Sequence, residues 1–141
     1  MTRPNGQVVV DTGVYGAALS PSGADLAFRY RAVLAGQDIV LSFVTVAELR
    51  YGALAAAWGD RRLRRLEADL DHATVVWPDN SLTDAYVRLR VEALRAGHGL
   101  AHKDHEADRW IAATARWLGL PLVTHDGIFR GVPELEVLTQ L

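Results

Sequence analysis

Four acids stand where a carboxylate is costly or conspicuous. Asp11 closes the apolar run QVVVD, and Asp126 comes two residues after a second apolar run, in LVTHDG. Glu48 and Asp108 lie within helical patterns. At helical spacing Glu48 shares a face with Val44, Tyr51, Gly52 and Ala55, and Asp108 shares one with Ile111, Ala112 and Ala115. An ionised carboxylate among apolar side chains costs several kcal/mol unless something compensates it. Each acid also has an ordinary reading: Asp11 as a helix cap, Asp126-Gly127 as a turn pair, Asp108 as a first-turn acid at a helix dipole, and Glu48 as half of an ion pair with Arg50 or Arg29.

Taken together, the four suggest one cleft. Carboxylates crowded into a small space raise one another's pKa, and a divalent cation removes that penalty. Mg²⁺ and Mn²⁺ take hard oxygen ligands and keep several waters, so a few carboxylates with open positions suit them. Such an ion acidifies a water and holds the non-bridging oxygens of a phosphodiester. The chemistry expected is metal-assisted phosphodiester hydrolysis, with one ion or two.

The elements that must position these acids alternate along the chain. Short apolar runs at Gln7–Asp11, Asp38–Phe43, Ala73–Trp77 and Pro121–Thr124 read as buried strands, with Leu135–Leu138 as a fifth. Helical patterns fill the intervals: Val14–Leu19, Ala24–Leu34, Thr45–Trp58, Arg61–His72, a long helix after Asp79-Asn80-Ser81 to Ala96, and Glu106–Leu118. Residues 97–102 read as a loop. This order predicts an α/β fold, with a central, mostly parallel sheet of four to five strands flanked by helices, in a single domain over residues 1–141. In such folds ligands sit beyond the carboxyl ends of the strands, which is where Asp11 and Asp126 fall.

Composition sets the outer limits. With 141 residues, 50% hydrophobic and 23% charged, the chain is of ordinary globular composition and long enough for a core without a staple. It contains no cysteine, which excludes disulfides, thiolate zinc sites and a cysteine nucleophile, and fits a cytoplasmic location. No apolar run reaches membrane-spanning length, and the N-terminal MTRPNGQVVVD lacks the apolar core of a signal peptide. The net charge of −2 does not mark a strongly basic nucleic-acid binder. Lys103 is the only lysine among 15 basic residues. That arginine bias suits phosphate contacts and equally fits codon usage.

The segments VVVDTGVYGA, SFVTVAELRYG, EADRWIAATARWLG and PLVTHDGIF resemble, in order, the motif blocks of PIN-domain ribonucleases, most closely the toxin component of VapBC toxin–antitoxin pairs. They span Val8 to Phe129, nearly the whole chain. The resemblance implies a Rossmann-like PIN fold, an acidic Mg²⁺ or Mn²⁺ site and cleavage of single-stranded RNA. It places the family's acids on Asp11, Glu48, Asp108 and Asp126, and its flanking hydroxyl residues on Thr12 and Thr124. It further implies a homodimer held inactive by a cognate VapB-type antitoxin, whose tail fills the acidic cleft.

Other features carry two readings each. Arg61, Arg62, Arg64 and Arg65 form either an RNA-phosphate surface or a solvated helix face with Arg64–Glu67 or Arg65–Asp69 pairs. His98, His102 and His105, beside Glu106, lack the helical spacing of a zinc site and read as a loop near the cleft. Trp58, Trp110 and Trp117 suit core packing or an interface better than base stacking. Asp11-Thr12-Gly13 matches the aspartic-protease triplet, but that chemistry needs two such loops on an all-β scaffold. Two competing functions remain: a phosphoacceptor receiver domain, which needs a lysine after its last strand where Lys103 instead precedes a helix, and an inactive PIN-like RNA-binding module.

Overall fold

The computed structural model describes residues 6–141. The reading of the N-terminus falls partly on residues 1–5, outside the described residues. Five strands, β1 (Gln7–Val10), β2 (Asp38–Ser42), β3 (Thr74–Val76), β4 (Leu122–Val123) and β5 (Val137–Leu138), form one sheet in the order β3-β2-β1-β4-β5. Every pairing is parallel. Among the described residues six α-helices connect them: α1 (Thr12–Ala17), α2 (Ala24–Leu34), α3 (Phe43–Ala55), α4 (Asp60–Asp71), α5 (Asn80–Ala96) and α6 (Glu106–Leu118).

The sheet is covered on both sides, which is why its strands run apolar without alternation once past their polar first residues Gln7, Asp38 and Thr74. Side-chain alternation divides the valines of β1. Val9 joins Val40 and Leu122 in a core with α5 and α6, through Tyr86, Leu89, Ile111 and Ala112. Val8 and Val10 join Leu41 and Val123 on the opposite face, with Val14 of α1, Tyr30 of α2, Val46 of α3, and Leu66 and Leu70 of α4. Burying each such side chain contributes roughly 1.5–3 kcal/mol.

Strand order reverses direction between β1 and β4: from β1 the chain builds outward through β2 and β3, then crosses back to β4 on the other side. Asp11 immediately follows β1, and Thr124 immediately follows β4. The carboxyl ends of these two strands are therefore the switch point, where open α/β sheets bind their ligands. Among the described residues no helix is long and apolar enough to cross a membrane.

Two helices start earlier than their sequence pattern suggests. Asp11 accepts a hydrogen bond from the Thr12 amide, so α1 begins at Thr12 rather than Val14. Ser42 caps α3, which begins at Phe43 rather than Thr45. Residues 97–102, read as a loop, contain a 3₁₀ turn at Gly99–Ala101, followed by another at Lys103–His105.

Candidate active site

Asp11 stands at this switch point, directly after β1. It is buried, its backbone N–H donates to the Val123 carbonyl (2.9 Å), and so β4 fixes where it sits. Both carboxylate oxygens are engaged. Oδ1 accepts from the Thr12 amide at 2.8 Å, and Oδ2 accepts from the Thr124 hydroxyl at 2.7 Å. The capping role and the cleft position thus coexist in one side chain. Thr124 is fully buried, and its hydroxyl also accepts the Asp126 amide (3.1 Å), which ties the strand-end loop to Asp11.

Glu48 reaches the switch point through α1. The Thr12 hydroxyl lies 2.7 Å from Glu48 Oε1, to which it donates, and 2.9 Å from the Thr45 hydroxyl. The expectation of a costly burial at Glu48 is overturned. Glu48, Tyr51, Gly52 and Ala55 are all exposed, because α3 turns Val46 and Ala53 inward instead. The suggested partner Arg50 pairs with Glu67 (2.7 Å), which also replaces the expected Arg64–Glu67 pair.

Asp108 matches its sequence reading more closely. Ile111, Ala112 and Ala115 on its face are buried, and its own side chain is only 24% exposed, at the first turn of α6. Its Oδ2 lies 2.7 Å from Nδ1 of His105. Asp126 is exposed, and its Oδ1 accepts the Ile128 amide (3.0 Å), capping a 3₁₀ turn at Gly127–Phe129.

Electrostatics links these positions. Burial above all pushes the Asp11 carboxyl up to about 6; the Thr124 hydrogen bond opposes this, and the charges of Asp108 and Asp126 add to it. A cation would relieve that charge crowding, and every candidate donor here is a hard oxygen. Among the described residues, however, no three His, Asp or Glu side chains are grouped so as to hold a metal ion by themselves. Two carboxylates are enough for a hard cation such as Mg²⁺, which usually takes one or two and completes its shell with waters and substrate phosphates.

Sequence reasoning missed two residues that organise this end of the sheet. Arg109 is 1% exposed and donates to Tyr86, to the Leu100 and His102 carbonyls and to Glu106. Its signal was a charge at helical spacing from buried Ala112 and Ala113, the same signal that singled out the acids. Tyr30 is also fully buried. Its hydroxyl lies 2.9 Å from the Thr124 carbonyl, accepts the Gln140 amide at 2.9 Å and meets His125 Nδ1 at 2.7 Å, joining α2 and the C-terminal residues to the strand-end loop.

The three loop histidines have separate tasks. Nδ1 of His98 accepts the Leu100 amide while Nε2 bonds the Arg130 carbonyl, and Nδ1 of His102 accepts the Asp104 amide. His105 faces Asp108. The arginines at 61, 62, 64 and 65 are exposed, with the Arg62 guanidinium over the Trp58 ring (3.6 Å). Trp110 stacks on Tyr86 at 3.9 Å, a packing role, whereas Trp77 and Trp117 are exposed.

Residues 8–135 match the PIN-domain family. The chain is 33% identical over 138 residues to ribonuclease VapC5 of Mycobacterium tuberculosis, covering 92% of this chain and 93% of that protein. Its fold is similar to the crystal structure of VapBC2 from Rickettsia felis bound to a promoter DNA fragment (TM-score 0.77, 20% identity, 94% of this chain and 98% of that one). It is also similar to the toxin–antitoxin structure VapBC-5 from Mycobacterium tuberculosis (TM-score 0.61, 30% identity, 94% and 98%).

Proposed function

The chain belongs to the PIN-domain family, and we propose that it is a divalent-metal-dependent endoribonuclease that acts in the cytoplasm as the toxin of a VapBC-type pair. The observation that carries this reading is the charge-burdened Asp11, buried at the β1–β4 switch point with Asp108 and Asp126 near enough to raise its pKa. Asp11 and Asp108 would hold Mg²⁺ or Mn²⁺, with Asp126 and Glu48 at the margin. A bound cation supplies charge neutralisation at the phosphodiester and makes a water more acidic.

The chain's own residues do the rest. Thr124 keeps Asp11 in one rotamer by donating to Oδ2, and the Thr12 amide holds Oδ1. Thr12 spends its hydroxyl proton on Glu48, so that this exposed carboxylate stays aimed across the top of α1 and is free to orient or accept a proton from an attacking water. RNA is the substrate. A housekeeping PIN nuclease or an inactive module is the second reading.

An antitoxin partner is supported by the toxin–antitoxin complexes that share this fold. An open groove of about 650 Å³ between α1 and α2, lined by Ala17, Ala24, Ala27 and Phe28, offers a partner apolar contact. A homodimer is supported by exposed apolar side chains at helical spacing, Tyr51 and Leu54 on α3 and Val87, Val91 and Leu94 on α5. The test is direct. Purified chain should cut single-stranded RNA with Mn²⁺ or Mg²⁺, lose the activity in EDTA and regain it when metal is restored, and Asp11→Asn should be inactive though folded. Full cleavage in EDTA, or by the variant, would refute the reading.

A further inference from the structure

Arg109 raises a question that the acids alone do not answer. Burying a guanidinium costs several kcal/mol unless its donors are met. Here they are: Nε donates to the Tyr86 hydroxyl (3.2 Å), Nη1 to the carbonyls of Leu100 (2.6 Å) and His102 (2.7 Å), and Nη2 to the Glu106 carboxylate. Tyr86 in turn donates to Glu106 at 2.8 Å. Arg109 is rigid and planar at its head, so it pins two backbone positions of the α5–α6 connection to the first turn of α6.

What that pinned segment delivers is His105. Its backbone amide donates to the His102 carbonyl (3.0 Å), the same oxygen that Arg109 holds. Its ring then stands 2.7 Å from Asp108, with both side chains only partly exposed (30% and 24%). An ionised carboxylate only accepts, so Nδ1 of His105 carries the hydrogen of this bond. The bond occupies Oδ2 and fixes the rotation of the Asp108 carboxylate. We propose that His105 is a positioning residue for Asp108, holding one carboxylate oxygen so that the other is presented to the cleft. This rests on the reading of Asp108 as a site acid. Partners of this kind that orient a ligating side chain typically carry 10–100-fold in metal affinity or activity.

The test uses the full chain with His105→Ala and His105→Asn. An asparagine amide occupies the place of Nδ1 and can still donate. Two quantities are read: kcat and KM for RNA cleavage separately, and Mn²⁺ affinity by calorimetry without RNA. His105→Ala should lower kcat by roughly 10–100-fold with little change in KM, and weaken Mn²⁺ binding by about tenfold, while His105→Asn recovers most of both. An alanine variant equal to wild type in both readouts, or an asparagine variant no better than alanine, overturns the proposal. Should wild type bind Mn²⁺ yet cut no RNA, the nuclease reading fails, and the three Mn²⁺ affinities still decide the role of His105.

Discussion

Asp11 holds its charge against its surroundings, and its titration gives that a sign. Its carboxyl is raised from 3.8 to about 6, burial being the main cause. The native state therefore binds a proton that the unfolded state has already released. The resulting stabilisation is complete below 3.8 and lost as pH rises through 6, a difference of roughly 3 kcal/mol across that window. Asp11→Asn removes the charge. At pH 7.5 in EDTA it should melt several degrees above wild type, and at pH 3.5 the gain should vanish, as paired melting curves at the two pH values would show. An equal melting point at pH 7.5 would mean that Asp11 is not charge-burdened. The same variant should cut no RNA, a stability gain bought with function. Thr124→Val tests the counterweight. Its hydroxyl lowers the Asp11 pKa, so its loss should move the acid limb of Mn²⁺ binding to higher pH. An unmoved limb in a calorimetric pH series would assign Thr124 to packing alone.

At the scale of elements, α1 carries Asp11 and Thr12 into place, and its far end meets α2 at Gly23. A Cβ built on Gly23 would lie 2.2 Å from the Ala17 carbonyl oxygen, in rigid backbone that cannot step aside. Gly23→Ala should therefore push α2 away from α1 and cost about 1–3 kcal/mol. That is a fall of several degrees in melting temperature, and an unchanged melting curve would contradict the contact. Boundaries like this one were legible in the sequence where punctuation was strong. Ala24–Leu34 lies between Pro21-Ser22-Gly23 and Gly36, and Glu106–Leu118 ends at Gly119, whose φ of +66° is a conformation that glycine adopts without strain. Where the capping residue closed an apolar run, the helix start was misplaced by two residues, at Thr12 and at Phe43. Histidine caps at 98 and 102 were invisible because Ser, Thr, Asp and Asn are the usual signals. The face of α3 was misassigned for a different reason. That helix is apolar on more than one side, and periodicity does not say which side meets the sheet. Tyr51 is 75% exposed in consequence. Asp11 and Asp126 could be picked out because each follows an apolar run, whereas the Thr124 bond between their segments spans 113 residues and needs the fold to be seen.

At the scale of the whole molecule the four acids come from segments far apart in sequence: Asp11 after β1, Glu48 on α3, Asp108 on α6 and Asp126 beyond β4; Asp108 and Asp126 bear on the charge of Asp11, and Glu48 meets Thr12 beside it. The two helices fill opposite faces of the sheet, Val46 and Ala53 of α3 in the core with Val14 of α1, and Ile111 and Ala112 of α6 in the core with Tyr86 and Leu89 of α5, and they meet each other where Phe43 packs edge-on against Trp110. A ligand that draws these carboxylates together therefore ties both layers to the sheet, and it has no comparable site in the unfolded chain. Linkage then fixes the outcome. Binding to the native state alone stabilises by about 2.7 kcal/mol at a hundredfold excess over Kd, which for a chain of this size is a rise of several degrees. Millimolar Mn²⁺ should raise the melting temperature of wild type by that amount, and NaCl of matched ionic strength should not, since screening alone acts on every surface charge. Asp11→Asn should lose the Mn²⁺ shift while keeping its metal-free gain at pH 7.5. The two effects of one substitution thus run in opposite directions, a pattern that general destabilisation cannot produce. A wild-type melting curve indifferent to Mn²⁺, or a variant that still responds to it in full, would place the cation elsewhere and leave the switch point without its expected ligand.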